Sequence, residues 1–306
     1  MRMFLPLAPR SSLKPRQYPR RKAFKVSRRS SKAENYAINH HIGDVISQSF
    51  GATELTFPNA QSILALRGSF LNAQRHNVTV LGASGDLGAT DYMFNISDIY
   101  PYRVNSWPSS DPLVTSIGGT QLTLNDNGNR LKPDVAWNDG FGAGGGGVSA
   151  VFGRPDFQNG VRKVVGNHRG TPDISLSAAV DGGAVMYWSF SPRPGYHIVG
   201  GTSEASPEFA GIVAMADQMA GQRLGNINSA LYQLGQKHAE GIVDVTIGNN
   251  TFGPFKNSDG KTYTVIGFNA TRGYDLASGW GTLDAAQFVP ELARTAGEGD
   301  NQQNGN

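Results

Sequence analysis

Two short apolar runs bracket a helical one near the start of the chain, and this arrangement limits the folds open to it more than any other feature. "DVISQSF" (44–50) carries Val45 and Ile46 and reads as a strand. "NAQSILALRGSFLNAQRH" (59–76) places Ile63, Leu66 and Phe70 on one helical face, with Leu64 and Leu71 beside them. "NVTVLGAS" (77–84) then reads as a buried strand, Val78 to Ala83. Strand, helix and strand in close succession make a βαβ unit, which demands a parallel sheet with right-handed crossovers. The 39 Gly and 16 Pro point the same way, toward a loop-rich α/β chain rather than a helix bundle.

Composition removes several alternatives. The 306 residues include no Cys, so disulfides and thiolate metal sites are excluded. No apolar run reaches the length of a membrane span. The net charge of +3 conceals an asymmetry. Residues 1–32 hold 11 Lys and Arg and no acid, whereas the remaining 274 hold 16 basic and 24 acidic groups, a net of −8. The Pro-broken basic arm fits a disordered segment better than a nucleic-acid tail. Its apolar patch, Met3 to Ala8, is too short for a signal peptide. A body at 33–292 and a disordered tail at 293–306 complete the expected division.

Further along, "NDNGN" (125–129) reads as a hairpin turn, since it lacks the distal Glu of a calcium loop. The glycine run "FGAGGGGVSAVF" (141–152) lacks the Lys-Ser/Thr of a phosphate loop. It is either a flexible surface loop or a strand edge approached closely by another backbone. "GAVMYWSF" and "GYHIVG" form a hairpin around residues 191–194. The second strand delivers the chain to "GGTSEASPEFAGIVAMA" (200–216), where Phe209, Ile212, Val213 and Met219 fit a buried helix with Pro207 in its first turn. "NINSALYQLG" is a short helix closed by Gly235. Four Asn-x-Ser/Thr sites (Asn77, Asn95, Asn249 and Asn269) are no more than chance supplies.

Ser203 lies where a Gly-Gly-Thr turn meets a helix start. Such a position serves either as a helix cap or as a nucleophile beside unpaired N–H groups and a partial positive charge. Gly-Thr-Ser-x-Ala-x-Pro, intact as Gly201, Thr202, Ser203, Ala205 and Pro207, resembles the nucleophile motif of subtilisin-like peptidases and of sedolisins, the serine-carboxyl peptidases. None of the six His (40, 41, 76, 168, 197, 238) is followed by Gly-Thr, as a subtilisin would require. "VLGASGDLGA" places Asp86 where a subtilisin has its oxyanion Asn, which is the sedolisin pattern. An ionised Asp donates no hydrogen bond and a protonated one does, so an oxyanion Asp implies work at acidic pH or a raised pKa.

The resemblance to sedolisins spans roughly residues 33–290. It implies an α/β, subtilisin-like doubly wound parallel sheet flanked by helices. It implies a serine-type endopeptidase acting on peptides or unfolded protein at acidic pH, extracellular and monomeric, with Ser203 and Asp86 catalytic. Gly145 and Gly146 would pair with a bound peptide backbone, and Ser149 would stand near the pocket entrance. One Ca²⁺ would be held by Asp244, Val245, Thr271, Gly273 and Asp275, with Thr271 standing where the family has a glycine. The family's base, a Glu oriented by an Asp four residues later, has no counterpart: the acids before Ser47 are Glu34 and Asp44. A catalytically dead peptide-binding module of the same fold is therefore the alternative.

Overall fold

The computed structural model describes residues 21–190 and 192–303. Its central sheet is five-stranded. Strand β1 (Val45–Gln48) pairs in parallel with β2 (Thr79–Ala83), β2 with β3 (Thr115–Gln121), and β3 with β7 (Ile174–Ser177). The short β4 (Val135–Ala136) adds to β3 in antiparallel fashion. Two further strands, β5 (Gly147–Gly153) and β6 (His168–Thr171), form an antiparallel ribbon beside the sheet. The hairpin of β8 (Ala184–Trp188) and β9 (Gly195–Val199) pairs Val185 with Ile198 and Tyr187 with Tyr196. Of its expected turn, Ser191 lies outside the described residues.

Successive residues of β2 show why helices cover both faces. Val80 enters a core with Ile38, Ile63, Leu66, Phe70 and Trp107. Leu81, the next residue and therefore on the opposite face, enters another with Ile117, Ile174, Phe209, Val213 and Phe288. A parallel strand buried on both sides has no solvent face to pattern, so it reads as a continuous apolar run. Helix α1 (Arg21–Asn39), α2 (Ala60–Leu64) and α3 (Gly68–Arg75) serve the first core. Helices α4 (Thr202–Ala220), α5 (Asn228–Gln236) and α6 (Ala285–Gln303) serve the second.

Several local expectations need correction. The helix foreseen over 59–76 is two helices with a break between Leu64 and Gly68; Ile63, Leu66 and Phe70 still face inward, while Leu64 and Leu71 are exposed. Met219 is exposed rather than buried. Pro207 falls inside α4, because the helix begins at Thr202. Gly235 lies within α5, where the Trp280 ring leaves no room for a Cβ. The left-handed residue after that helix is His238, at φ 51°.

The hairpin turn at 125–129 forms as read, with Asn127 and Asn129 amides donating to the Asn125 side chain. Helix α1 starts inside the 1–32 arm, and α6 crosses the 292 boundary with Leu292 and Ala293 buried. Residues 1–20 of the arm and 304–306 of the tail lie outside the described residues.

Candidate active site

Helix α4 emerges from β9 through Gly200 and Gly201. Gly201 has φ 95°, a conformation that favours glycine. A Cβ there would also stand 3.0 Å from Asp86 Oδ2. Gly201, and not Ser203, occupies the N-cap position, and it brings no side chain to cap the helix. Asp86 does that work from across the sheet. Its Oδ1 accepts the Thr202 amide at 2.8 Å and the Thr202 hydroxyl at 2.9 Å. Ser203 is the next residue, one Cα step of about 3.8 Å further on. The structure thus brings Asp86, at the end of β2, to the helix start that carries Ser203. Both residues are half-buried.

Proline shapes the other side of this helix start. Pro207 has no N–H to give to the carbonyl of Ser203 four residues earlier. Ser49, just past the end of β1, supplies the missing donor: its Oγ donates to Ser203 O at 3.0 Å. Ser47 Oγ pairs with Ser206 Oγ at 2.8 Å. The turn bearing Ser203 is thus held from the ends of β1 and β2 at once.

Acids crowd this helix. Glu204, beside Ser203, accepts the Ala184 amide at 3.0 Å. Burial, and then the neighbouring charge of Glu208, push its carboxyl up to about 8. Partial desolvation raises Glu208, which is otherwise exposed, and burial takes Asp217 to about 6. Glu34 on α1 accepts from Gln48 Nε2 at 2.7 Å, and burial raises its pKa. His40, His76 and His197 each bond a carbonyl four residues away rather than any serine.

The glycine run is approached closely by backbone, but the backbone is this chain's own. The Gly145 amide donates to Gly85 O at 2.8 Å, and a Cβ on Gly145 would stand 2.3 Å from Ser84 O. Gly146 lies equally tight against Leu276 O. The run therefore fixes the loop that carries Asp86. Ser149 is buried, and its hydroxyl donates to Glu54 Oε1 at 2.5 Å. Glu54 had no motif to mark it in the sequence; its ligands come from residues 56 and 95 positions away.

The calcium candidates gather around one loop. Asp244 Oδ2 accepts the Gly273 amide at 2.9 Å, and Asp275 Oδ2 accepts the Thr271 amide at 2.7 Å. The Val245 carbonyl lies 3.5 Å from Ser278 Oγ, which also bonds Asp275. Among the described residues no three acidic or histidine side chains cluster as metal ligands. Two carboxylates with backbone carbonyls are a hard-oxygen set that fits Ca²⁺. Burial pushes Asp275 up to about 6, so its bare charge is disfavoured there, and a cation would offset that cost.

A twisted parallel sheet covered on both faces, with a serine at the start of a central helix and an acid at the neighbouring strand end, defines a subtilisin-like α/β protein. No family model matches the chain. It is 34% identical over 226 residues to kumamolisin of Bacillus sp. (strain MN-32), covering 69% of this chain and 37% of that protein. It is 32% identical over 267 residues to sedolisin of Pseudomonas sp. (strain 101), covering 84% of this chain and 42% of that one. It is 30% identical over 264 residues to human tripeptidyl-peptidase 1, covering 81% and 42%.

The solved structure of Pseudomonas sedolisin, a serine-carboxyl proteinase complexed with two molecules of pseudo-iodotyrostatin, matches with a TM-score of 0.72 at 28% identity. That match covers 87% of this chain and 69% of the other. The chain belongs to the sedolisin family. It spans about two-fifths of the length of these curated relatives. Among the described residues no helix is long and apolar enough to cross a membrane.

Proposed function

We propose that this chain carries the nucleophile half of a serine-carboxyl peptidase that acts on peptides or unfolded protein at acidic pH. The supporting observation is the pair of bonds from Thr202 to Asp86, at the helix start that bears Ser203. A general base, a role the Glu fills in the family, takes the Ser203 Oγ proton as that oxygen attacks the scissile carbonyl and later returns it to the departing amine; negative charge develops on the carbonyl oxygen. Asp86 Oδ1 is already an acceptor for an N–H, so a proton on this carboxyl belongs on Oδ2, from which it is donated to that oxygen. The α4 N-terminus adds its partial positive charge. Collapse of the intermediate expels the amine and leaves an acyl-serine, which water hydrolyses. Acidic operation is supported by the raised pKa values of Glu34, Glu204, Glu208 and Asp217: folding retains protons that the unfolded chain gives up.

Asp244, Asp275 and the carbonyls of Val245, Thr271 and Gly273 would hold one Ca²⁺, which would neutralise charge and brace the 271–278 loop. Gly145, Gly146 and Ser149 set the geometry of the peptide strand. A monomeric, extracellular protein goes with this proposal, on family grounds.

A second function is peptide binding without turnover, supported by the glycine run that leads into β5. Loss of one member of a serine catalytic set costs on the order of 10⁴ to 10⁶ in turnover. Hydrolysis of unfolded casein at pH 3–5 and adduct formation with a peptide aldehyde separate the two. The aldehyde is expected to form a hemiacetal at Ser203 that Ser203→Ala abolishes, with casein cleavage weak. Absence of both adduct and peptide binding would remove the peptidase lineage of the site. Binding that survives Ser203→Ala, with no adduct, would leave the binding module.

A further inference from the structure

The Glu54 carboxyl is 4% exposed, yet it touches neither Ser203 nor Asp86 among the bonds described above. Its oxygens collect donors from two distant segments. Oε1 accepts Ser110 Oγ at 2.6 Å and Ser149 Oγ at 2.5 Å. Oε2 accepts the Ala150 amide at 2.7 Å. Its own amide donates to Asn105 O at 3.0 Å. Ser149 Oγ in turn accepts the Val151 and Phe152 amides at 3.0 and 2.9 Å. One carboxylate therefore ties the first half of β5 to the segment that leaves β1. That same segment holds Ser203 O through Ser49, five residues before Glu54.

We infer that Glu54 is a positioning residue: it sets the register of the strand that follows the glycine run relative to the nucleophile turn, and so the affinity of this face for an extended peptide. This rests on the proposed peptide-strand role of residues 145–149. The chemistry requires a carboxylate. All three partners present a hydrogen, and the Ala150 amide can only donate. A carboxylate accepts from all of them, whereas the amide of a Gln would turn an N–H₂ toward one donor and break that contact. Arg67 and Asp111, the latter next to Ser110, satisfy each other at 2.7 Å.

Affinity of the full chain for an end-blocked, fluorescently labelled hexapeptide, measured on variants shown by circular dichroism to be folded, tests this. Glu54→Gln is expected to weaken binding about tenfold, the equivalent of one strong buried hydrogen bond. Glu54→Asp, which keeps the acceptor set, is expected to bind more tightly than the Gln variant. A role in packing alone gives the reverse order, because Gln preserves volume and Asp does not. The Ala150 amide is expected to exchange faster with solvent hydrogen in Glu54→Gln.

Peptide binding by the wild-type chain with unchanged affinity in Glu54→Gln, or with Gln above Asp, overturns the inference and leaves the proposed function standing. No peptide binding and no aldehyde adduct in the wild-type chain overturns the proposed function and this inference with it. Should Glu54→Gln fail to fold, Ser110→Ala removes a single donor to Glu54 and is expected to bind about threefold more weakly; equal affinity overturns the inference.

Discussion

Glu204→Gln is the substitution whose effect can be worked furthest from the structure. Glu204 is buried beside Glu208, with Ala184 N donating to its Oε1. Its pKa rises from an ordinary 4.5 to about 8, first through burial and then through Glu208. Between those values the folded chain keeps a proton that the unfolded chain has lost. Stability therefore falls as pH rises through this window, by at most about 1.4 kcal/mol per pH unit. Glu208 is exposed, and screening by solvent at that side reduces the total to about 1–2 kcal/mol. Gln keeps an oxygen for the Ala184 amide and cannot ionise. Glu204→Gln is thus expected to match the wild type at pH 4 and to exceed it at pH 8 by about 1–2 kcal/mol. In a chain of this size that is about 2–4 °C in Tm. Thermal melts at pH 4, 6 and 8 on both proteins measure it. A constant difference across pH, or a variant less stable at pH 8, would refute the linkage.

Three further outcomes are expected. Ser49→Ala strands the Ser203 carbonyl and costs about 1 kcal/mol in urea unfolding; adding Pro207→Ala, which restores an N–H to the helix, recovers most of it. Arg169→Met leaves Asp173 buried without its cation, and costs about 3–5 kcal/mol by the same assay. Added Ca²⁺ raises Tm and EDTA lowers it in the wild type, while Asp275→Asn loses most of this response; identical melts with Ca²⁺ and EDTA would remove the ion from the proposal.

The parallel sheet was legible in the sequence because residues 44–84 show strand, helix and strand in succession, and Val80 and Leu81 mark β2 as buried on both faces. The break between α2 and α3 was not, since the inward face of Ile63, Leu66 and Phe70 is continuous across it. Pro207 was placed one turn early because nothing local fixes the helix start; Asp86 does so from 116 residues away. Ser203 and Asp86 stood out as candidates because each sits in a compact motif, and the structure brings Asp86 to the helix start that carries Ser203. Ser149 was found by resemblance, yet its partner Glu54 stands in "GATELTF", where no spacing marks an acid destined for burial. The sequence showed residue types and local period; it did not show which distant donors converge on one carboxyl.

The bond from Ser49 to the Ser203 carbonyl spans 154 positions, and the one from Asp86 to Thr202 spans 116. Neither can close until the polypeptide has been synthesised well beyond residue 203 and the intervening sheet has assembled. On the ribosome the Ser203 hydroxyl therefore sits on an unanchored segment, and it takes its place at the helix start only after the slow, non-local steps of folding are complete.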